Sequence, residues 1–249
     1  MRTDRKQAEE SGTPSYRGNA IAVGIMFILC TAAAIGSIAP LGAAVTAPVD
    51  FAKFAASGDR VVWTALIEFV WAITGMGIVI GLYPVLRKFN PTLALGSVFG
   101  RVTENLFILV GTLFLLVLLT VSKDAVAAGS AGLASAVPVS NLLVALRTWV
   151  HGFVGMIPFA IGTVLYSYVL YRSRLVPRWL SGWGLVAGVL SLAANLYAGF
   201  TQNWGFTAVN LVLSAPIAFQ EMTLAVYLIA RGFSKTALAR AASDEASAA

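Results

Sequence analysis

The stretch SNLLVALRTWVHGFVGMIPFAIGTVLYSYVLYRSRLVPR, residues 140–178, decides the fold. Its apolar part exceeds the roughly 20 residues that cross the hydrocarbon core of a bilayer. It stops at a basic cluster, Arg172, Arg174 and Arg178, with Trp179 and Trp183 just beyond. Basic loops of this kind stay on the cytoplasmic side, and tryptophans mark the membrane–water boundary. Inside the run sit Arg147 and His151, four residues apart and therefore on one face of a helix. A cation at bilayer depth costs about 2.5 to 3.5 kcal/mol on insertion scales, so Arg147 needs a carboxylate on a neighbouring helix or a water-filled cavity. Other apolar runs supply the carboxylates Glu68, Glu104 and Glu221.

Composition points the same way. Of 249 residues, 58% are hydrophobic and 11% charged, against about a quarter charged in soluble domains. The net charge of +6 does not indicate nucleic acid, because the basic residues fall in short groups at the ends of apolar runs, as the positive-inside pattern requires. Cys30 is the only cysteine, which excludes an intrachain disulfide and a thiolate metal site. The residues before it, Ile28 and Leu29, are not those of a lipoprotein cleavage site, so Cys30 reads as a packing residue. A single histidine excludes multi-histidine metal centres, and no glycine-rich phosphate loop or nucleophile elbow is present. No metal or cofactor is expected.

Taken in order, residues 1–18 mix charges with Gly and Pro and read as a disordered cytoplasmic tail. The uncharged run from Asn19 to Val49 is too long for a signal-peptide core and reads as an uncleaved first span ending near Pro40. Pro48 to Arg60 carries Phe51, Phe54 and Ala55 at helical spacing, a pattern suited to the interface. The second span, Val61 to Leu86, directs Thr64, Glu68, Trp71 and Gly75 inward by its 3.6-residue period. The third, Leu93 to Ser122, is long for one span: either it tilts, or its first turns protrude and Arg101 snorkels to the headgroups. Lys123 to Val139 reads as a loop. Pro158 should kink the fourth span, and the fifth and sixth run to about Phe200 and from about Phe206 to Ala230. The expectation is an all-α, six-helix transmembrane domain over residues 19–231 with a flexible tail at 232–249. Both termini should be cytoplasmic, because Arg87 and Lys88, then Arg172, Arg174 and Arg178, make the loops after spans two and four the basic ones.

The intramembrane charges form the candidate site. Glu68, Arg147, His151, Asn195 and Asn210 fall in the outer half, and Glu104 and Glu221 nearer the middle, so all could meet in one polar cluster. Candidate proton-carrying or catalytic groups are Glu221, Glu68 and His151. Candidate ligand contacts are Arg147, Arg101, Glu104, Asn195, Asn210, Trp71 and Trp149. Three functions are compatible with this set. One is binding or transport of a lipid-soluble or amphiphilic small molecule. Another is a membrane enzyme that uses a buried carboxylic acid to start chemistry on an isoprenoid or lipid. The third is an accessory or immunity protein whose charges only fix helix register. Intramembrane ionisable groups point first to function, while buried ion pairs on their own are weak evidence of stability.

The passages LYPVLRKFNPTLALG, FGRVTENLFILVG, YRSRLVPRWLSGWGL and PIAFQEMTLAVYLIARGF resemble a family of small bacterial six-helix membrane proteins catalogued as domain of unknown function 4386. The resemblance extends from about Ala20 to Phe233 and includes Glu68, Arg101, Glu104, Tyr171, Arg172, Pro177, Trp179 and Glu221. It implies a multi-pass protein of the bacterial inner membrane and no particular reaction.

Overall fold

A computed structural model describes residues 16–42, 45–205 and 207–248; most of the expected amino-terminal tail lies outside them. The described residues form helices and no strands: α1 (Arg17–Gly36), α2 (Phe51–Ala56), α3 (Gly58–Leu86), α4 (Pro91–Ala127), α5 (Gly129–Trp149), a π-helical turn (Val150–Val154), α6 (Met156–Ser173), α7 (Arg178–Thr201), α8 (Ala208–Ala230) and α9 (Lys235–Ala248). Six of the resulting rods, with α5, the π turn and α6 counted as one, are long and apolar enough to cross a membrane.

The rods close into a ring. α1 packs on α3, α3 on α4, α4 on α5 and α6, α6 on α7, α7 on α8, and α8 returns to α1. At the closure Arg17 Nη1 donates to the carbonyl of Leu228 at 3.1 Å, an oxygen at the end of α8 that also accepts from Gly232 N at 3.0 Å. The start of the first span and the end of the sixth therefore lie together, beside the basic turns. Orientation follows from the positive-inside pattern as an expectation: in a Cys30→Ala background, a cysteine at Ser173 should label only from the cytoplasm and one at Ala128 only from outside. Outside labelling at Ser173 would invert the topology.

Because lipid tails are as apolar as leucine, close packing through small residues holds such a bundle together. A Cβ at Gly24 would fall 2.7 Å from the carbonyl oxygen of Ala225, and one at Gly100 2.7 Å from that of Pro158 and 2.9 Å from Gly162 Cα. The basic half of the ring is filled by Val23, Phe27, Ile78, Leu82, Tyr166, Leu170, Leu224 and Leu228.

Several expectations change. The segment at 48–60 does form a short helix, capped by Asp50, which accepts from Lys53 N at 3.0 Å. Its Phe51 and Phe54 pack against α4 and α5. The loop expected at 123–139 is helical: α4 continues to Ala127, the chain turns at Gly129 (φ 72°), and α5 begins there. α4 is 37 residues long, about 55 Å. Arg101 does not snorkel, being only 1% exposed, so the excess length lies at the end remote from the basic loops. The helix of span four is interrupted before Pro158, which offers no N–H to the carbonyl of Val154. There the ladder widens to a π turn, with Gly155 N bonded to Val150 O at 2.9 Å. The carboxy-terminal segment, expected to be a flexible tail, forms α9. Its alanines favour helix, Ala237, Leu238 and Ala241 are buried, and Glu245 pairs with Lys88 at 2.9 Å.

Candidate functional site

One stripe of α4 carries its buried polar residues: Ser97, Arg101, Glu104, Asn105, Thr112 and Ser122 recur at helical spacing and are all buried. The stripe serves two separate charged groups where the sequence alone suggested one cluster.

The first group lies toward the end remote from the basic loops. Glu68 on α3 is 2% exposed, and both its oxygens are engaged. Arg147 Nη2 pairs with Oε1. Oε2 accepts from Arg147 Nη1 at 3.2 Å and from Thr112 Oγ1 at 2.6 Å. Arg147 Nη1 also donates to the carbonyl of Gly111 at 2.7 Å. This is the bidentate geometry that makes arginine–carboxylate pairs strong and directional. His151, one turn beyond Arg147 and inside the π turn, places Nε2 3.1 Å from the carbonyl of Ile108, which requires that nitrogen to carry the proton. The imidazole lies against Gly111, where any Cβ would overlap it, and Trp71 meets it edge-on at 6.2 Å between ring centroids. The π turn matters here because single π-helical turns frequently mark functional sites in helices.

The second group lies on the ring axis nearer the basic end. Arg101 Nη1 is 3.1 Å from Glu104 Oε2, with side chains 1% and 2% exposed. The contact is an ion pair without hydrogen-bond geometry: Arg101 Nε and Nη1 and Glu104 Oε2 are buried and lack hydrogen-bond partners. The Phe159 ring centroid lies 4.6 Å from the guanidinium carbon, a cation–π contact. Across the axis, Tyr166 on α6 donates from its hydroxyl to Glu221 Oε1 on α8 at 3.4 Å, and Phe27 of α1 stacks edge-on against Tyr166 at 6.4 Å.

The remaining candidates are not drawn in. Asn195 donates to Ser191 O, one turn back on its own helix, at 2.6 Å. Asn210 donates to the carbonyls of Asn203 at 2.9 Å and Gly205 at 3.0 Å, so it ties the loop between α7 and α8. Trp149 stacks with Trp204 of the loop between α7 and α8 at 5.1 Å and with Phe153 at 5.7 Å, which makes an aromatic cluster rather than a wall of either charged group. Reasoning from the sequence missed Thr112, Gly111, Phe159 and Tyr166. Thr112 alone had a readable signal, since it falls on the same helical stripe as Arg101 and Glu104.

A ring of apolar rods with ionisable groups turned inward defines a multi-pass helical membrane protein. Within that class, the chain belongs to the family described as Domain of unknown function (DUF4386), whose model matches residues 22–232. No curated protein and no solved structure matches the chain.

Proposed function

We propose that this protein binds an amphiphilic small molecule drawn from the bilayer, with its polar head at Glu68, Thr112 and Arg147 and its tail between α3 and α4. The observation that carries the reading is an apolar groove of about 380 Å³, open to lipid, whose lining joins Val62, Leu66 and Phe69 of α3 to Leu109, Leu113 and Leu116 of α4 and includes Thr112. That volume falls in the range of small-molecule sites, and its one polar group is the threonine that donates to Glu68. A concavity of similar size, about 400 Å³, between α2 and α5 touches neither charged group. Arg147, at 17% side-chain exposure, keeps guanidinium donors beyond those bound to Glu68 and Gly111, so the head that fits is a hydrogen-bond acceptor.

Leu113 is 56% exposed on the groove, so Leu113→Trp fills it without disturbing the ring. Native mass spectrometry from mild detergent should show a bound amphiphile on the wild type and its loss from Leu113→Trp at unchanged melting temperature. A wild type that emerges empty, or a variant that keeps its ligand, would count against the proposal.

A further inference from the structure

The group on the ring axis does not balance its charge. Two carboxylates, Glu104 and Glu221, 2% and 7% exposed, face one guanidinium, Arg101, 1% exposed. Arginine stays charged in proteins, and Glu104 holds it at 3.1 Å. Glu221 is left over: among the described residues it forms no ion pair, and its hydrogen-bond partner is a neutral phenol. It lies about 14 Å along α8 from Ala230 and about 20 Å from Ala208, so neither membrane surface is within reach of its side chain.

The titratable or charged groups that face Glu221 are Arg101 and Glu104 on α4, Tyr166 on α6 and Cys30 on α1. The only charged residue of α7 is Arg178, at the basic end, and that of α1 is Arg17. None of these supplies a second positive charge. An isolated ionised carboxylate in a dry interior is far costlier than a neutral acid.

We infer that the ring axis is a proton-binding site: one exchangeable proton is held by Glu221, beside the Arg101–Glu104 pair. The acid proton sits on Oε2 while the acid's carbonyl oxygen, Oε1, accepts from Tyr166. Loss of the proton leaves a carboxylate whose nearest available cation is Arg101, so release draws α8 toward α4 and away from Tyr166. A released proton passes to water, and the unpartnered acceptors Asn105 Oδ1 and Thr163 Oγ1 give a rearranged guanidinium, whose Nε also lacks a partner, somewhere to donate. This inference is independent of the amphiphile reading, which concerns Glu68, Thr112 and Arg147.

Infrared spectroscopy of the full-length protein in detergent at pH 7 tests it, because a carboxylic-acid C=O stretch is distinct from carboxylate bands. The wild type should show one such band. Tyr166→Phe should keep it but shift it to higher frequency, since the hydrogen bond to the carbonyl is gone. Glu221→Gln should abolish it. Glu104→Gln should abolish it as well, because Glu221 then becomes the sole counter-charge of Arg101, while Glu68→Gln should leave it unchanged. Absence of the band in the wild type, as would follow if a metal cation balanced the site, overturns the inference. So does a band that survives Glu104→Gln or Glu221→Gln, or one that Tyr166→Phe does not move. Should Glu221→Gln fail to fold, Glu221→Asp serves in its place: the acid moves away from Tyr166 and its band must shift, and an unshifted band overturns the assignment.

Discussion

Arg147→Ala should lower the stability of the protein in detergent by about 3 to 5 kcal/mol, the usual loss on breaking a buried pair, and Glu68→Ala should cost less. The asymmetry follows from what each substitution strands. Without Arg147, a carboxylate 2% exposed keeps only the Thr112 hydroxyl at 2.6 Å. Without Glu68, the guanidinium still donates to Gly111 O at 2.7 Å, and its 17% exposure lets the long side chain swing toward water. Combining Glu68→Gln with Arg147→Met removes both charges, keeps the Thr112 acceptor and keeps apolar volume, so it should recover much of the loss. Equilibrium unfolding of the two alanine variants and of this double variant is the measurement. If the charge-removing double variant falls as far as Arg147→Ala, the residues are not energetically coupled and the pair is incidental.

What could be read from the sequence, and what could not, divides along physical lines. Span number and the inward face of α3 were legible because apolar length and the 3.6-residue period are local properties: Thr64, Glu68 and Gly75 are buried as expected, and Trp71 is partly so. That Arg147 must meet a carboxylate of another span was legible for a different reason, that a charge at depth must be answered by another of opposite sign; that the carboxylate is Glu68 comes from the fold. The position of Arg101 was not. From the sequence it sat near the start of a long apolar run and could have reached the headgroups. In the fold it is enclosed because Gly162 and Phe159 of α6 close over it, its Cγ lying 3.1 Å from where a Gly162 Cβ would be. That enclosure depends on ring closure, which no local pattern encodes. Asn195 and Asn210 were misjudged for a related reason: depth along a helix says how far down a residue lies, not which way it points, and asparagine readily satisfies itself on nearby backbone. Pro158 signalled a broken ladder, but not that the extra residue would be taken up in the turn holding His151.

The glycines that let α4 and α6 touch carry the second large effect. At Gly100 a Cβ would meet Pro158 O at 2.7 Å and the Cα and N of Gly162 at 2.9 Å. All three are backbone atoms, and none can rotate away as a side-chain end would, so Gly100→Val must push the two helices apart. Overpacking a core commonly costs about 1 to 3 kcal/mol. Here the value should lie at or above the top of that range, because separation of α4 from α6 also withdraws Arg101 from the Phe159 ring, 4.6 Å away, and moves α4 against Tyr166 and Glu221. Gly18 is the control: it is exposed in the first turn of α1, and a Cβ there meets nothing within 4 Å, so Gly18→Ala should be neutral or slightly stabilising, as Ala generally is over Gly in a helix. Thermal melts in detergent would compare the two. A Gly100→Val protein as stable as the Gly18→Ala control would mean that α4 and α6 are not in backbone contact, and the enclosure of Arg101 would have to be abandoned with it.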